Sequence, residues 1–411
     1  MTSDLAARGA ARVEWIRSRM LLLARTRADF AETLPFQGHR IGMSLHLEPK
    51  TAVLLETLAA GGAELVATGN HGSTQDDVVA YLKTLGITVF GARDDDLTQH
   101  LGNVASVIEA RPTILLDNGA DLAAIIASSP NAATGAGAGT GPDAGTGAEA
   151  GTGIIGGTEE TTSGGVRLRG ELAGRIPFPM IVINDSLLKA IGENKHAVGQ
   201  SVVESFMRIT NMMINGRRFV VAGYGWCGSG IAHYLRAFGG KVAVVEVDEL
   251  KAFEAAMDGF RVDTAINLAS WGEVFFTATG HPEILSTEFF ERVEDGALLL
   301  NCGHFPWEID VPALRALSTG SRMLDDAIER IELPGGRHVI LIADGRMMNL
   351  AGREPKGNSL EAMDLGFLLQ TLSLERVATA TATLTPGAQP VPDDLDREIA
   401  RRMVTAMSAE R

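Results

Sequence analysis

Residues 217–247, RRFVVAGYGWCGSGIAHYLRAFGGKVAVVEV, constrain the fold more than any other stretch of the chain. They read as strand, turn, helix, strand. Residues 219–222 form a short apolar run of the kind that fills a buried parallel strand. Gly223, Gly225 and Gly228 follow in G-x-G-x-x-G spacing. The first glycine allows a tight turn, the second lets backbone approach a pyrophosphate, and the third lets the helix pack on the strand. The helix N-terminus then turns its unpaired N–H groups toward the phosphates. The next strand, 242–245, ends at Glu246. A carboxylate there accepts hydrogen bonds from the ribose hydroxyls of NAD and repels the additional phosphate of NADP. A lone glycine motif is a common turn. Strand, helix, second strand and acid in this order mark a dinucleotide site, and NAD is the expected cofactor.

The chain before this stretch alternates in the same way. Residues 5–33 carry apolar positions at helical spacing (Val13, Ile16, Met20, Leu23). Strands are expected at 40–45, 64–67, 87–90, 113–116 and 177–184, with helices at 51–60 and from Ser73 onward. In doubly wound sheets ligands bind beyond the carboxyl ends of the strands, which is where His46, residues 73–76 and residues 117–121 fall. Between them, 128–157 is Gly, Ala and Thr with almost nothing to bury, and reads as a flexible insert. Residues 159–164 (EETTSG) hold dense polar chemistry for a turn, although a helix cap would look the same.

The expected architecture is therefore α/β: two doubly wound, Rossmann-like domains, with a C-terminal helical segment returning to the first. Residues 1–199 form the substrate domain with the insert 128–157, 200–348 the NAD domain, and 349–411 complete the first. The 411 residues suffice for large cores. A formal charge of −15 argues against nucleic acid and anionic membrane surfaces as partners. The two cysteines imply no disulfide framework, and no ligand spacing marks a metal site. With no long apolar run and no signal-peptide pattern, a soluble, cytoplasmic protein is expected.

The motifs SLHLEPKTAVLLETL (44–58), STQDD (73–77), EETTSG (159–164), NDS with Lys189, AGYGWCGSG (222–230), EVD (246–248), TATG (277–280), CGHF with EID (302–310) and DGRMMNLA (344–351) together resemble S-adenosylhomocysteine hydrolase. The resemblance is to its shorter archaeal and bacterial type and runs from about Val13 to Met407. It implies an enzyme that holds NAD, oxidises a ribose 3′-hydroxyl, expels the 5′-thiol, adds water and reduces the ketone back. It also implies a homo-oligomer, dimer or tetramer, acting on a small nucleoside substrate. By the same resemblance Lys189 would polarise the 3′-hydroxyl with Glu193 as partner, and Glu160 would contact the sugar hydroxyls. His46 and His304 would serve acid–base work on the 5′ side. Asn184, Asn194, Thr74 and Gln75 would contact substrate. Thr161, Thr162, Ser163, Thr279 and Asn349 would line the cofactor, and Lys251 would lie near its ribose.

Three departures qualify that reading, the third being Lys251, which stands where many members carry a polar residue or asparagine near the cofactor ribose. Where the family carries a second aspartate as a 5′-side acid–base residue, the run here is Asp117-Asn118-Gly119-Ala120-Asp121. Asn118 hydrogen-bonds but cannot shuttle a proton. Asn358 stands where the family has a histidine against the nucleobase. The expectation drawn is a diverged paralogue that oxidises a nucleoside 3′-hydroxyl and goes on to 3′-redox, epimerisation or altered 5′ chemistry. The alternatives are ordinary reversible hydrolysis of S-adenosylhomocysteine, and an NAD-binding regulatory protein without turnover.

Overall fold

A computed structural model describes residues 2–70, 73–128, 153–303 and 306–409. The chain divides into two compact units, Met1–Lys189 with Leu360–Arg411, and Ala190–Ser359. Its strands are β1 (Arg40–Ser44), β2 (Glu64–Thr68), β3 (Thr88–Phe90), β4 (Ile114–Asp117), β5 (Gly156–Glu159), β6 (Pro179–Val182), β7 (Arg218–Ala222), β8 (Lys241–Val245), β9 (Arg261–Val262), β10 (Val274–Thr277), β11 (Ala297–Asn301), β12 (Gly320–Asp325), β13 (Ile328–Glu332), β14 (His338–Ile342) and β15 (Gly387–Pro390).

The first unit is built on a parallel sheet in the order β15-β6-β5-β4-β1-β2-β3. The strand order reverses between β1 and β4. Helices cover both faces, so the strands are apolar on both sides. Ile41, Met43 and Leu116 pack with Phe367, Leu368 and Leu372 of the helix Leu360–Ala380 on one face. Leu115, Met180 and Val182 pack with Val104, Leu122 and Ile126 on the other. The C-terminal helices Leu360–Ala380 and Asp393–Ala409 thus belong to this unit.

Three expectations are corrected here. The helix foreseen over 5–33 is two helices, Thr2–Arg17 and Leu21–Thr33. Asp364 accepts from the backbone N–H of Leu22 (2.8 Å) and Leu23 (2.9 Å), filling the N-terminus of the second helix from the far end of the chain. The insert foreseen over 128–157 is too long at both ends. Ser128 ends the helix Asp121–Ser128, and Gly156 and Gly157 lie in β5, a central strand. Glycine serves there because a Cβ on Gly157 would sit 2.7 Å from the Leu115 carbonyl oxygen. Residues 129–152 lie outside the described residues. The strand foreseen over 177–184 shortens to β6, followed by a 3₁₀ turn at Ile183–Asp185. Beyond it, Leu187–Lys189 is helical and Ala190–Ala197 runs on as a π-helix.

The second unit holds a sheet in the order β12-β13-β14-β11-β10-β7-β8-β9. It is parallel except for β12 and β13, an antiparallel edge hairpin that the sequence reading did not foresee. The order reverses between β7 and β10. Phe206, Phe219 and Phe276 anchor one face and Phe275, Phe289 and Phe290 the other. Among the described residues no helix is long and apolar enough to cross a membrane, and no group of His, Cys, Asp and Glu could hold a metal ion.

Candidate active site

In the first unit the loops at the carboxyl ends of β4 and β5 are shaped by two buried carboxylates. Asp117 and Glu159 are cross-strand partners, and both are fully buried. Every backbone N–H from Asn118 through Ala123 donates to one of them. Asp117 takes those of Asn118 (3.0 Å), Asp121 (3.1 Å), Leu122 (3.1 Å) and Ala123 (2.9 Å). Glu159 takes those of Gly119 (3.0 Å) and Ala120 (2.9 Å), and adds the N–H and hydroxyl of Thr161, each at 2.7 Å. Burial raises both carboxyls above their usual range and the Asp117 charge raises Glu159 further, while the N–H donors pull the other way. Gly164 makes the room: a Cβ there would lie 2.1 Å from the Glu159 carboxyl carbon.

This arrangement positions the next residues along. Glu160, one step past β5, is buried and accepts from the Lys189 ammonium on one oxygen and from the Gln370 side-chain amide on the other. Lys189 and Gln370 are buried as well. Direct contact between a buried ammonium and a carboxylate offsets part of the cost of burying each. The sequence reading named Glu160 and Lys189 and missed Gln370. Its signal was a glutamine inside the apolar helix Leu360–Ala380, where a polar side chain needs an inward partner. Asn184 donates to the Thr162 hydroxyl at 2.6 Å. Thr161 is the N-cap of the helix Thr162–Arg169, its hydroxyl accepting from Gly164 N–H at 3.0 Å, with the Ser163 hydroxyl also 3.0 Å away. Thr161 therefore has a structural task whatever else it contacts.

A second group lines the carboxyl ends of β1, β2 and β4. His46 Nδ1 lies 2.7 Å from the Ser73 hydroxyl, which donates to the Asn70 carbonyl at 2.9 Å. The Asn70 side chain donates to Asn118 Oδ1 at 3.0 Å. Thr51 anchors the His46 backbone by donating to its carbonyl at 2.6 Å. Thr74 is buried beneath this loop, and a Cβ on Gly69 would meet its hydroxyl at 1.9 Å. The Gln75 side-chain oxygen is taken by Arg12 at 2.5 Å. Ser73 and Asn70 were not foreseen as members of this chain of hydrogen bonds.

In the second unit the glycine turn has the expected form. Gly223 has φ +96° and a Cβ on it would approach the Ala278 carbonyl to 2.6 Å. A Cβ on Gly228 would lie 2.0 Å from the Gly223 carbonyl oxygen. Around Gly225, the N-cap of the helix Trp226–Ala237, a Cβ would meet nothing within 4 Å, so the space before the helix N–H groups is open. Glu246 accepts from Tyr224 N–H and Val247 N–H, both at 2.7 Å, and from Asp248 N–H at 3.0 Å, which fixes it against the turn. Lys251 is exposed in the first turn of the helix Glu249–Met257.

Glu308, buried and not foreseen, organises the β10 end. It accepts from Thr279 N–H and hydroxyl at 2.8 Å each and from Gly280 N–H at 2.9 Å. A Cβ on Gly303 would lie 1.6 Å from its Oε1. Nearby in sequence, His304 lies outside the described residues. Ser201 gathers another group: Asn349 donates to its hydroxyl (3.2 Å), Asn358 Oδ1 lies 3.2 Å from it, and Asn358 donates to Glu193 (3.3 Å). Asn194 is half-buried in the π-helical run. Asn349 Oδ1 is buried without a hydrogen-bond partner, an acceptor suited to an amide N–H such as a nicotinamide carboxamide offers. The open glycine turn, the fixed Glu246 and this acceptor fit NAD.

Residues 194–354 match the family model described as S-adenosyl-L-homocysteine hydrolase, NAD binding domain. The chain is 39% identical over 417 residues to S-inosyl-L-homocysteine hydrolase of Methanopyrus kandleri, covering 99% of this chain and 92% of that protein. It is 38% identical over 404 residues to adenosylhomocysteinase of Archaeoglobus fulgidus, covering 98% and 95%. Similarity of this extent settles the family and, with it, NAD as the cofactor. The chain belongs to the S-adenosyl-L-homocysteine hydrolase family.

Proposed function

We propose that this protein hydrolyses the thioether of an S-nucleosyl-L-homocysteine, releasing homocysteine and the nucleoside. The observation that carries the reading is the buried Glu160–Lys189 pair, braced by Gln370, with Glu160 just past β5 and Lys189 in the short helix Leu187–Lys189. Relatives named for the adenosyl and the inosyl substrate match this chain about equally, which supports hydrolysis and leaves both purines as candidates. NAD, when bound, would take two electrons from the 3′-hydroxyl and return them to the 3′-ketone once water has added, so that the net reaction is redox-neutral. Lys189 and Glu160 then act on the sugar hydroxyls as a charged pair: the ammonium polarises the 3′-oxygen and the carboxylate orients its neighbour. A 3′-ketone acidifies the adjacent C4′–H, which permits loss of the 5′-thiolate and addition of water. On the 5′ side His46 carries the proton, because Asn118 has none to give.

The epimerase or redox-only outcome gains no support from the fold or the relatives, and the intact charged pair argues against a protein that only binds NAD. The test uses the purified protein with S-adenosylhomocysteine and, separately, S-inosylhomocysteine in heavy water, following thiol release and deuterium at C4′. Thiol release from either substrate is expected. Deuterium uptake without any thiol release would return the protein to the redox-only reading.

A further inference from the structure

A residue between two glycines sits in backbone that is unusually free to rotate. Tyr224 is placed so, between Gly223 and Gly225, just past β7. Its backbone N–H donates to Glu246 at 2.7 Å, so the setting of that carboxylate depends on how this peptide is held. The tyrosine side chain does the holding. It is buried against Phe260, with ring centroids 5.8 Å apart, and its hydroxyl donates to Asp258 at 2.5 Å. Asp258 is the C-cap of the helix Glu249–Met257. Asp248, the N-cap of the same helix, donates its N–H to Glu246 at 3.0 Å. One helix therefore restrains Glu246 directly from its first end and through Tyr224 from its last.

The direction of the phenol proton is set as well. A guanidinium only donates, and Arg236 Nη2 lies 2.9 Å from His233 Nδ1, so that nitrogen offers a lone pair. The His233 proton is then on Nε2, which is 3.2 Å from both the Tyr224 hydroxyl oxygen and Asp258 Oδ2. With His233 donating to this group, the phenol proton goes to Asp258. Burial, and next the Asp258 carboxylate, keep the phenol protonated.

We propose that Tyr224 and Asp258 are positioning residues that hold Glu246 in place for the adenosine ribose of NAD. They act through the carboxylate rather than on the cofactor. The phenol–carboxylate bond removes the freedom that two glycines give the turn, so NAD meets an acceptor already in position. The proposal rests on NAD as the cofactor and not on the reaction that follows. Its signature is selective: what weakens on loosening the turn is the grip on the 2′-hydroxyl of that ribose.

The test is calorimetric titration of the full-length protein, stripped of nucleotide, with NAD and with NAD lacking the 2′-hydroxyl of its adenosine ribose. The wild type is expected to prefer NAD on the order of 10-fold. Tyr224→Phe keeps the packing on Phe260 and removes only the hydroxyl. It should bind NAD about 5-fold more weakly and cut the preference to about 2-fold. Asp258→Ala, a change at an exposed position, should do the same. The double variant should lose no more than either single one, because all three remove one bond. Equal weakening for both nucleotides would mean that the tyrosine merely supports the domain, and overturns the proposal. Unchanged affinity, losses that add in the double variant, or a wild type indifferent to the 2′-hydroxyl overturn it too. Should Tyr224→Phe fail to fold, Asp258→Ala decides by the same ratio.

Discussion

Each unit sends a helix out from a strand at its reversal point, and the two helices treat their N-termini in opposite ways. After β4, the helix Asp121–Ser128 finds its positive end already occupied by Asp117, with Glu159 taking the remaining turn amides. After β7, the helix Trp226–Ala237 begins at Gly225 with no side-chain cap and open space in front. The physics is the same in both, since a helix N-terminus attracts an anion. Where the anion is the protein's own carboxylate, the result is a rigid loop that displays Asn118 and Glu160. Where it is left out, the N–H groups face open space.

Removing the built-in anion should have the largest effect. Asp117→Asn places an amide NH₂ among N–H donors with no acceptor to meet it. Urea denaturation is expected to show a loss of ~3–5 kcal/mol, and a loss below ~1 kcal/mol would mean the nest of N–H groups is not an anchor. Filling the open site should be next. A Cβ at Gly225 meets no protein atom within 4 Å, so in Gly225→Ala ligand-free stability should fall by less than ~1 kcal/mol while calorimetric NAD affinity drops about 100-fold, or ~2.7 kcal/mol. A variant that keeps full NAD affinity would show that the phosphates lie elsewhere.

The smallest effect concerns a third helix N-terminus. Asp364 serves the helix Leu21–Thr33, and burial raises its carboxyl to about 6. A raised carboxyl contributes stability that is full below its unfolded pKa and is lost as pH climbs through the folded value. Between about pH 4 and pH 7 the wild type should therefore lose ~2 kcal/mol relative to Asp364→Asn, read from the pH dependence of the difference between their unfolding free energies. A difference that stays flat with pH would show that the backbone donors outweigh burial.

What could be read from the sequence was chemistry that acts through its immediate neighbours. The glycine turn was legible because each glycine answers a local demand, a positive φ at Gly223 or a close backbone at Gly228. The strand alternation was legible because parallel strands are apolar on both faces. β5 was not, since Gly156 and Gly157 merge with the insert that precedes them and owe their place to close neighbours such as Leu115. Glu160 stood out in a polar turn, but Glu159 beside it is defined by the amides of Gly119 and Ala120, which only the sheet brings near. Ser201, Ser73 and Glu308 are likewise ordinary residues until the fold supplies their partners. Gln370 alone left a trace, as a polar residue on an apolar helix.

The division of the chain has a consequence for the order in which it can be completed. The second unit is one unbroken segment, Ala190–Ser359, set within the sequence of the first, which needs both Met1–Lys189 and Leu360–Arg411. Emerging from a ribosome, the NAD unit has all its strands in hand while the first unit still lacks the helix Leu360–Ala380, and with it Gln370 for Glu160 and Asp364 for Leu22 and Leu23. The half that carries the charged pair is begun first and closed last, and the glycine-turn half has to accommodate itself within that interval.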